Sequence, residues 1–320
     1  MHRKSASTMQ IMLSDAERRL LEALARNSRD TPAVLGQLVD KSRNWVSRTI
    51  RGLVRNGVIR RYTTIIDPAQ VQGARVTILF MKSNPREQDV SEKLMEMEEL
   101  ESLDGIAGDF SLLGFFRFDS QGAFEDLLDR VDTVVATSGA GKYNLVQVLT
   151  TYMKNRFRIL PNESSESYLS QKELALLRIM YCHEPTHESP LPLTQEEIGA
   201  RMNPPLSQPA VSKCIEKLLI KRAIIGYSIN TDFSLVDLPV KFFVRIKVSP
   251  GTASDIAQKI TGMREVWDLY RTSEDYSLLA MVRTSSVMTF NQFLRRLYES
   301  QDVLDTESYI SLEEWFLPIR

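Results

Sequence analysis

The chain has 320 residues, 43% of them hydrophobic and 25% charged, with a net charge of −1. That is enough chain for two or more cores, and the near-zero balance excludes bulk charge as a basis for binding a polyanion. The start, MHRKSASTMQIML, is basic but carries no long apolar run, so neither a signal peptide nor a membrane span is expected and the protein is read as cytoplasmic. The distribution of charge is more telling. Residues 13–62 hold 11 Lys/Arg against 5 Asp/Glu, a balance of +6, and residues 84–140 hold 4 against 14, a balance of −10. One part is suited to meet a polyanion and the next is not.

Residues 1–12 read as a disordered lead. Ser14 caps a helix whose apolar stripe is Leu20, Leu21 and Leu24, and Thr31-Pro32 opens a second through Val34, Leu35 and Leu38. Ser42 caps a third helix, with Val46, Ile50, Leu53 and Val54 on one face and Arg43, Asn44, Ser47, Arg48, Arg51 and Arg55 on the other. Asn56-Gly57 ends it, and a short strand near 59–62 forms a small wing or lead-out. Three helices with a tight turn between the last two make a helix-turn-helix unit. A strand at 74–82, a helix at 87–102, strands at 103–108 and 111–118, a helix at 120–136 and a strand at 143–152 then give the ferredoxin-like βαββαβ order. Residues 155–169, polar and containing Pro161, read as a linker.

The plan then returns. SRNWVSRTIRGLVRNGVIRRY at 42–62 is answered 165 residues later by SQPAVSKCIEKLLIKRAIIGY at 207–227, without gaps. A helix at 170–182 and a loop, HEPTHESPLP, at 183–192 precede a capping box of Thr194 and Glu197. Strands at 239–247, 266–271, 276–283 and 306–312, with helices at 253–261 and 287–299, repeat the sheet module. The fold class read from this is α+β: tandem winged helix-turn-helix plus ferredoxin-like modules, duplicated. The segments are 13–66 and 170–231 for the helix-turn-helix parts, 67–154 and 232–316 for the sheet modules, and 155–169 for the linker. Cys182 and Cys214 sit among apolar residues of predicted helices and read as small core hydrophobes in a reducing compartment. No CxxC or Cys/His cluster has metal spacing, and no cofactor is called for. His183 and His187 stand i, i+4 around Pro185 in a loop and read as structural or exposed.

With these motifs in hand, the chain resembles the Lrp/AsnC, or feast/famine, family of transcriptional regulators, as two fused copies. The residues that carry this are S-x-x-x-V-S-[RK]-x-I at 42–50 and 207–215, the NGVIRRY exit at 56–62, and the turns GDFSLL at 108–113 and EDYSLL at 274–279. The resemblance implies double-stranded DNA as partner, and sheet modules that pair and take a small effector such as an amino acid. It implies a homo-oligomer or an intrachain pseudo-dimer.

A helix-turn-helix lays its second helix in the major groove with the N-terminal residues near base edges. Those are Ser42, Arg43, Asn44, Ser47 and Arg48; Arg pairs bidentately with guanine and Asn with adenine. Arg51, Arg55, Arg60 and Arg61 suit phosphates, which position without specifying sequence. Trp45 is placed to contact a thymine methyl or to pack on the neighbouring helix. In the second copy Ser207, Gln208, Ser212, Lys213 and Lys217 face outward with Glu216 among them, so weaker DNA binding or a protein contact is expected. By resemblance, Asp109 with Phe110, and Asp275 with Tyr276, lie near the crevice between paired modules, an acid to receive an α-ammonium group and an aromatic to line the pocket. Glu274 stands where the first copy has Gly108. Two rivals from other classes are a sirohaem-decarboxylase-like tetrapyrrole enzyme and a sensor scaffold with little DNA binding. His2, His183 and His187 all lie outside the predicted sheet modules, and no acid/base constellation stands out, so no enzymatic activity is expected.

Overall fold

The computed structural model describes residues 13–71, 75–84, 89–118, 120–137, 142–160 and 169–315. The expected lead at 1–12, Ala74, and the linker residues 161–168 lie outside them. The first half runs α1 (Asp15–Arg26), α2 (Pro32–Val39), α3 (Arg43–Arg55), β1 (Ile59–Ile66), β2 (Arg75–Lys82), α4 (Asp89–Met95), β3 (Leu100–Ala107), β4 (Leu112–Phe118), α5 (Gln121–Thr137), β5 (Lys142–Lys154) and β6 (Phe157–Arg158). The second runs α6 (Gln171–Tyr181), β7 (Cys182–His183), α7 (Gln195–Arg201), α8 (Gln208–Ile220), β8 (Ile224–Thr231), β9 (Val240–Val248), α9 (Ala253–Ile260), β10 (Val266–Thr272), β11 (Leu278–Thr284), α10 (Val287–Leu297) and β12 (Val303–Trp315). This is a mixed α+β fold whose paired strands are antiparallel.

Contacts group the chain across its serial order. One compact unit gathers the described residues up to Ile65 with Ala175–Cys214 and Gly226–Pro239. Its α1 starts on a capping box, in which Ser14 accepts from the Glu17 N–H and the Glu17 carboxylate accepts from Ser14. Leu20, Leu24, Leu35, Val46, Ile50 and Ile59 are buried together in its core. The strand expected as a small wing is longer and more central than that. Its residues from Ile59 run between β7 and β8 in a three-stranded sheet, with Tyr62 opposite His183 and Thr63 opposite Cys182. That pairing also corrects two readings: Cys182 leaves the helix and His183 leaves the loop, because β1 needs a partner for its free edge.

The other unit holds the described residues between Ile66 and Leu174, Ile215–Ile225, and those from Val240 to Trp315. Its strands run in the order β10-β11-β9-β12-β3-β4-β2-β5, and β5 pairs again with β10, so the sheet closes on itself. Each βαββαβ segment contributes four neighbouring strands. At both junctions the last strand of one segment meets the second strand of the other: Glu314 lies opposite Asp104, and Thr151 opposite Tyr270. Closure removes the exposed edges that a lone four-stranded sheet would leave. Helices α4 and α5 cover one outer face, burying Leu94, Phe116, Leu127 and Val131, and α9 and α10 cover the other, burying Ile256, Ile260 and Phe293. Burying one such side chain is worth about 1.5–3 kcal/mol. The inner faces share a third core with Ile78, Phe80, Phe115, Phe243 and Tyr309.

Two further expectations shift here. The helix expected at 87–102 ends at Met95, and β3 begins at Leu100 rather than 103. Helix-favouring Glu and Met residues yield because Leu100 is paired opposite Phe116. The linker's first residues belong to the sheet. Asn155 and Arg156 turn the chain with positive φ, and Phe157–Arg158 pairs back on β5.

Candidate nucleic-acid interface and the sheet-module turns

Helix α3 is divided cleanly between core and solvent. Ser42 caps it by accepting the Trp45 N–H at 3.2 Å, and Gly57 ends it at φ +71°, a conformation in which glycine bears no Cβ penalty. Val46, Ile50 and Leu53 are buried, which turns the opposite face outward. Ser42, Arg43, Asn44, Arg48, Arg51 and Arg55 are exposed, and Ser47 is half-buried. Among the described residues none of Arg43, Arg48, Arg51 or Arg55 is held in an ion pair. Trp45 is half-buried against the core, so packing is its main role. An open groove runs along the helix, lined by Trp45, Arg48, Thr49, Gly52, Arg55 and Asn56 and by the start of α1.

Arg60 and Arg61 are not spare cations for phosphate. Arg60 is paired with Asp232, and Arg61 with Glu184 at 2.7 Å. Their alternation along β1 aims both at neighbouring chain instead of at solvent, which helical spacing alone does not reveal.

Helix α8 exposes Ser207, Gln208, Ser212, Lys213, Glu216 and Lys217, as expected from its stripe of Val211, Cys214, Ile215 and Leu218. Position for position it keeps one cation of α3, Lys213 for Arg48, and lacks the other three. Gln208 stands for Arg43, Glu216 for Arg51, and Ile220, 75% exposed, for Arg55.

The two turns differ from one another. Asp109 is exposed between β3 and β4. Phe110 does not line an open pocket: it is 5% exposed, its ring centroid 5.5 Å from Phe80 and 6.2 Å from Tyr309. Gly108, at φ +144°, permits this, since a Cβ there would come 2.8 Å from the Tyr309 ring. In the second turn Asp275 is exposed with Lys247 3.7 Å away, and the Tyr276 hydroxyl donates to Asp305 at 2.6 Å. That bond pushes the Tyr276 pKa up to about 12. The residues the sequence reading passed over lie beside it. Arg245 bonds Glu274 at 2.6 Å and also pairs with Glu307, while its guanidinium lies 4.7 Å over Tyr276. Burial alone would lower the Arg245 pKa; the two carboxylates outweigh it and raise it. Glu274, read only as a missing glycine, also accepts from Asn144. The available signal was Lys241 and Arg245 recurring inside the apolar strand VKFFVRIKV. In the helical unit, burial lowers the pKa of Arg29, whose guanidinium lies 4.9 Å over Tyr227.

Together these features define an α+β protein with an arginine-bearing helix turned to solvent and a closed antiparallel sheet. The Lrp/AsnC ligand binding domain profile matches residues 241–317. The HTH-type transcriptional regulator LysM of Sulfurisphaera tokodaii is 32% identical over 116 residues, 35% of this chain and 78% of LysM. The HTH-type transcriptional regulator LrpA of Mycobacterium tuberculosis is 31% identical over 125 residues, 38% and 82% of the two chains. The chain belongs to the Lrp/AsnC family. Among solved structures, the siroheme decarboxylase NirDL matches with a TM-score of 0.62 at 16% identity, over 96% of this chain and 93% of that one. The expectation of no enzymatic activity is therefore corrected: an enzyme shares the fold along nearly the whole chain, so neither the architecture nor the placing of three histidines excludes catalysis. Among the described residues, no helix is long and apolar enough to cross a membrane.

Proposed function

We propose that the chain is a DNA-binding transcriptional regulator made of two fused copies of the Lrp/AsnC plan, each a winged helix-turn-helix followed by a ferredoxin-like module. Ser42, Arg43, Asn44, Ser47 and Arg48 read base edges, Arg51 and Arg55 hold phosphates, and α8 is the weaker reader through Ser207, Gln208, Ser212, Lys213 and Lys217. The observation that carries this reading is the outer face of α3: four arginines with no ion-pair partner among the described residues, beside a fully buried apolar stripe. Fusing two copies builds within one chain the paired readers that a two-fold operator needs, and lets the readers differ. The sheet modules respond to a small effector such as an amino acid, with Asp109 and Asp275 the exposed acids nearest the turns.

Selection of bound genomic fragments, followed by a mobility shift at rising salt, tests the reading. Binding is expected to weaken steeply, with a slope of about −0.9 per phosphate neutralised in log–log form. No salt-sensitive complex with any fragment would refute it. A screen of the twenty amino acids for altered binding tests the effector.

The likeness to NirDL supports a second reading, a tetrapyrrole decarboxylase. Titration with sirohaem separates the two, since a stoichiometric Soret shift belongs to the enzyme alone.

A further inference from the structure

We infer that a small cavity in the helical unit, beside β1, β7 and β8, is an anion site that takes a single halide ion, chloride. The cavity holds about 20 Å³, room for one water-sized particle and too little for phosphate or sulfate. Ser28 and Arg29 line it from the turn after α1, Tyr62 from β1, His183 from β7 and Tyr227 from β8. All of them belong to the helical unit. Tyr62 and Tyr227 match in the 165-residue repeat, so the cavity lies where the two copies of the plan meet.

The bonding capacity left over in this cavity belongs to donors. Three of its hydroxyls are already committed: Tyr62 donates to the Pro190 carbonyl at 2.8 Å, Thr63 to that of Tyr181 at 3.0 Å and Thr64 to that of Met180 at 2.7 Å. The Arg29 guanidinium makes one hydrogen bond, from Nη1 to the Leu193 carbonyl at 3.3 Å, and no carboxylate among the described residues pairs with it. Burial lowers its pKa, as expected of a cation taken out of water without a counter-ion. The Tyr227 ring face beneath it replaces only part of the lost hydration. The His183 Nε2 is buried and no described group bonds it; in the tautomer protonated there it is a donor. The Ser28 hydroxyl makes no hydrogen bond among the described residues, though Ser28 is 3% exposed. Among the described residues no Asp or Glu lines the cavity. Two carboxylates act on His183 from nearby, but Glu184 is paired with Arg61 and Glu197 closes the Thr194 capping box, while Arg201 adds a second positive charge. A water would leave the charge of Arg29 uncompensated. A halide accepts from all three donors and compensates it, and it ties the turn before α2 to β7, so its binding stabilises the helical unit.

Full-length protein melted at fixed pH and ionic strength should show a Tm about 3 °C higher in sodium chloride or bromide than in sodium gluconate, whose anion cannot enter. Arg29→Gln removes the cation, and its Tm should agree between the halide and gluconate to within about 1 °C. An equal halide gain in wild type and variant is a general salt effect and would overturn the site, as would no gain in the wild type. Crystals of the wild type grown in sodium bromide give a reading that needs no variant. An anomalous difference peak in contact with Arg29, Ser28 and His183 is expected. Density there without an anomalous signal is a water, and either that or no density at all overturns the proposal. Neither measurement involves DNA, so the site stands or falls separately from the reading helix.

Discussion

Helices α3 and α8 start from nearly the same sequence plan and end with different surfaces. Both bury one apolar stripe, Val46-Ile50-Leu53 in the first and Val211-Ile215-Leu218 in the second. Their outer faces diverge at three aligned positions, where arginine gives way to Gln208, Glu216 and Ile220. The core tolerates little change, because a buried stripe must fill a fixed space. The outer face has no packing constraint, so it is free to follow function. The difference between the two helices thus lies on their exposed faces, and it weakens the positive charge that phosphate binding draws on: four arginines in α3 against Lys213 and Lys217 beside Glu216 in α8.

The sharpest way to break this comparison is to strip the cations. Replacing Arg48, Arg51 and Arg55 together by Ala should lower DNA affinity by about a hundredfold or more and flatten the salt slope by about 3. Arg48→Ala alone should cost about 1–3 kcal/mol of binding. Lys213→Ala in α8 should change affinity by less than about threefold, under roughly 0.6 kcal/mol. Equal losses from Arg48→Ala and Lys213→Ala in a fluorescence titration would end the asymmetry. The converse graft sharpens it: Glu216→Arg with Ile220→Arg should strengthen binding several-fold if α8 lies near the duplex.

Smaller effects separate structure from reading. Ser14 and Thr194 each close a capping box, so Ser14→Ala and Thr194→Ala should each cost about 1 kcal/mol in a denaturant melt and barely move DNA affinity. Arg60→Ala should lose under about 1 kcal/mol of stability, because its pair with Asp232 is partly exposed. If it instead cost as much binding as Arg48→Ala, the division of β1 from the reading surface would be wrong.

The smallest effect is a pH dependence. Burial pulls the His183 imidazole below its usual pKa of 6.5; Arg201 adds to this and Glu197 opposes it. The unfolded chain therefore takes up a proton near pH 6.5 that the folded form refuses. Stability is full above that value and declines as pH falls below it, toward the lowered folded pKa. His183→Gln should remove the slope from a Tm profile across that window.

The sequence by itself determined the order of the main helices and strands, the cap at Ser14 and the capping box at Thr194, and which face of α3 and α8 is apolar. All three rest on local rules: a hydroxyl capping its own helix, a 3.6-residue period, a glycine where φ is positive. It also showed that the helix at 208–220 carries fewer cations than the helix at 43–55. Only the tertiary structure decided what lies far apart in the chain and close in space. Arg60 and Arg61 looked like phosphate contacts until β1 brought Asp232 and Glu184 to them. Phe110 looked like a pocket wall until β12 laid Tyr309 beside it. Lys241 and Asp104, 137 residues apart, form a buried pair because one sheet closes on the other. Strand pairing is non-local. A period-two pattern says which side a residue faces but not which strand will face it, and that second fact decides whether a buried charge is a lock or a fault.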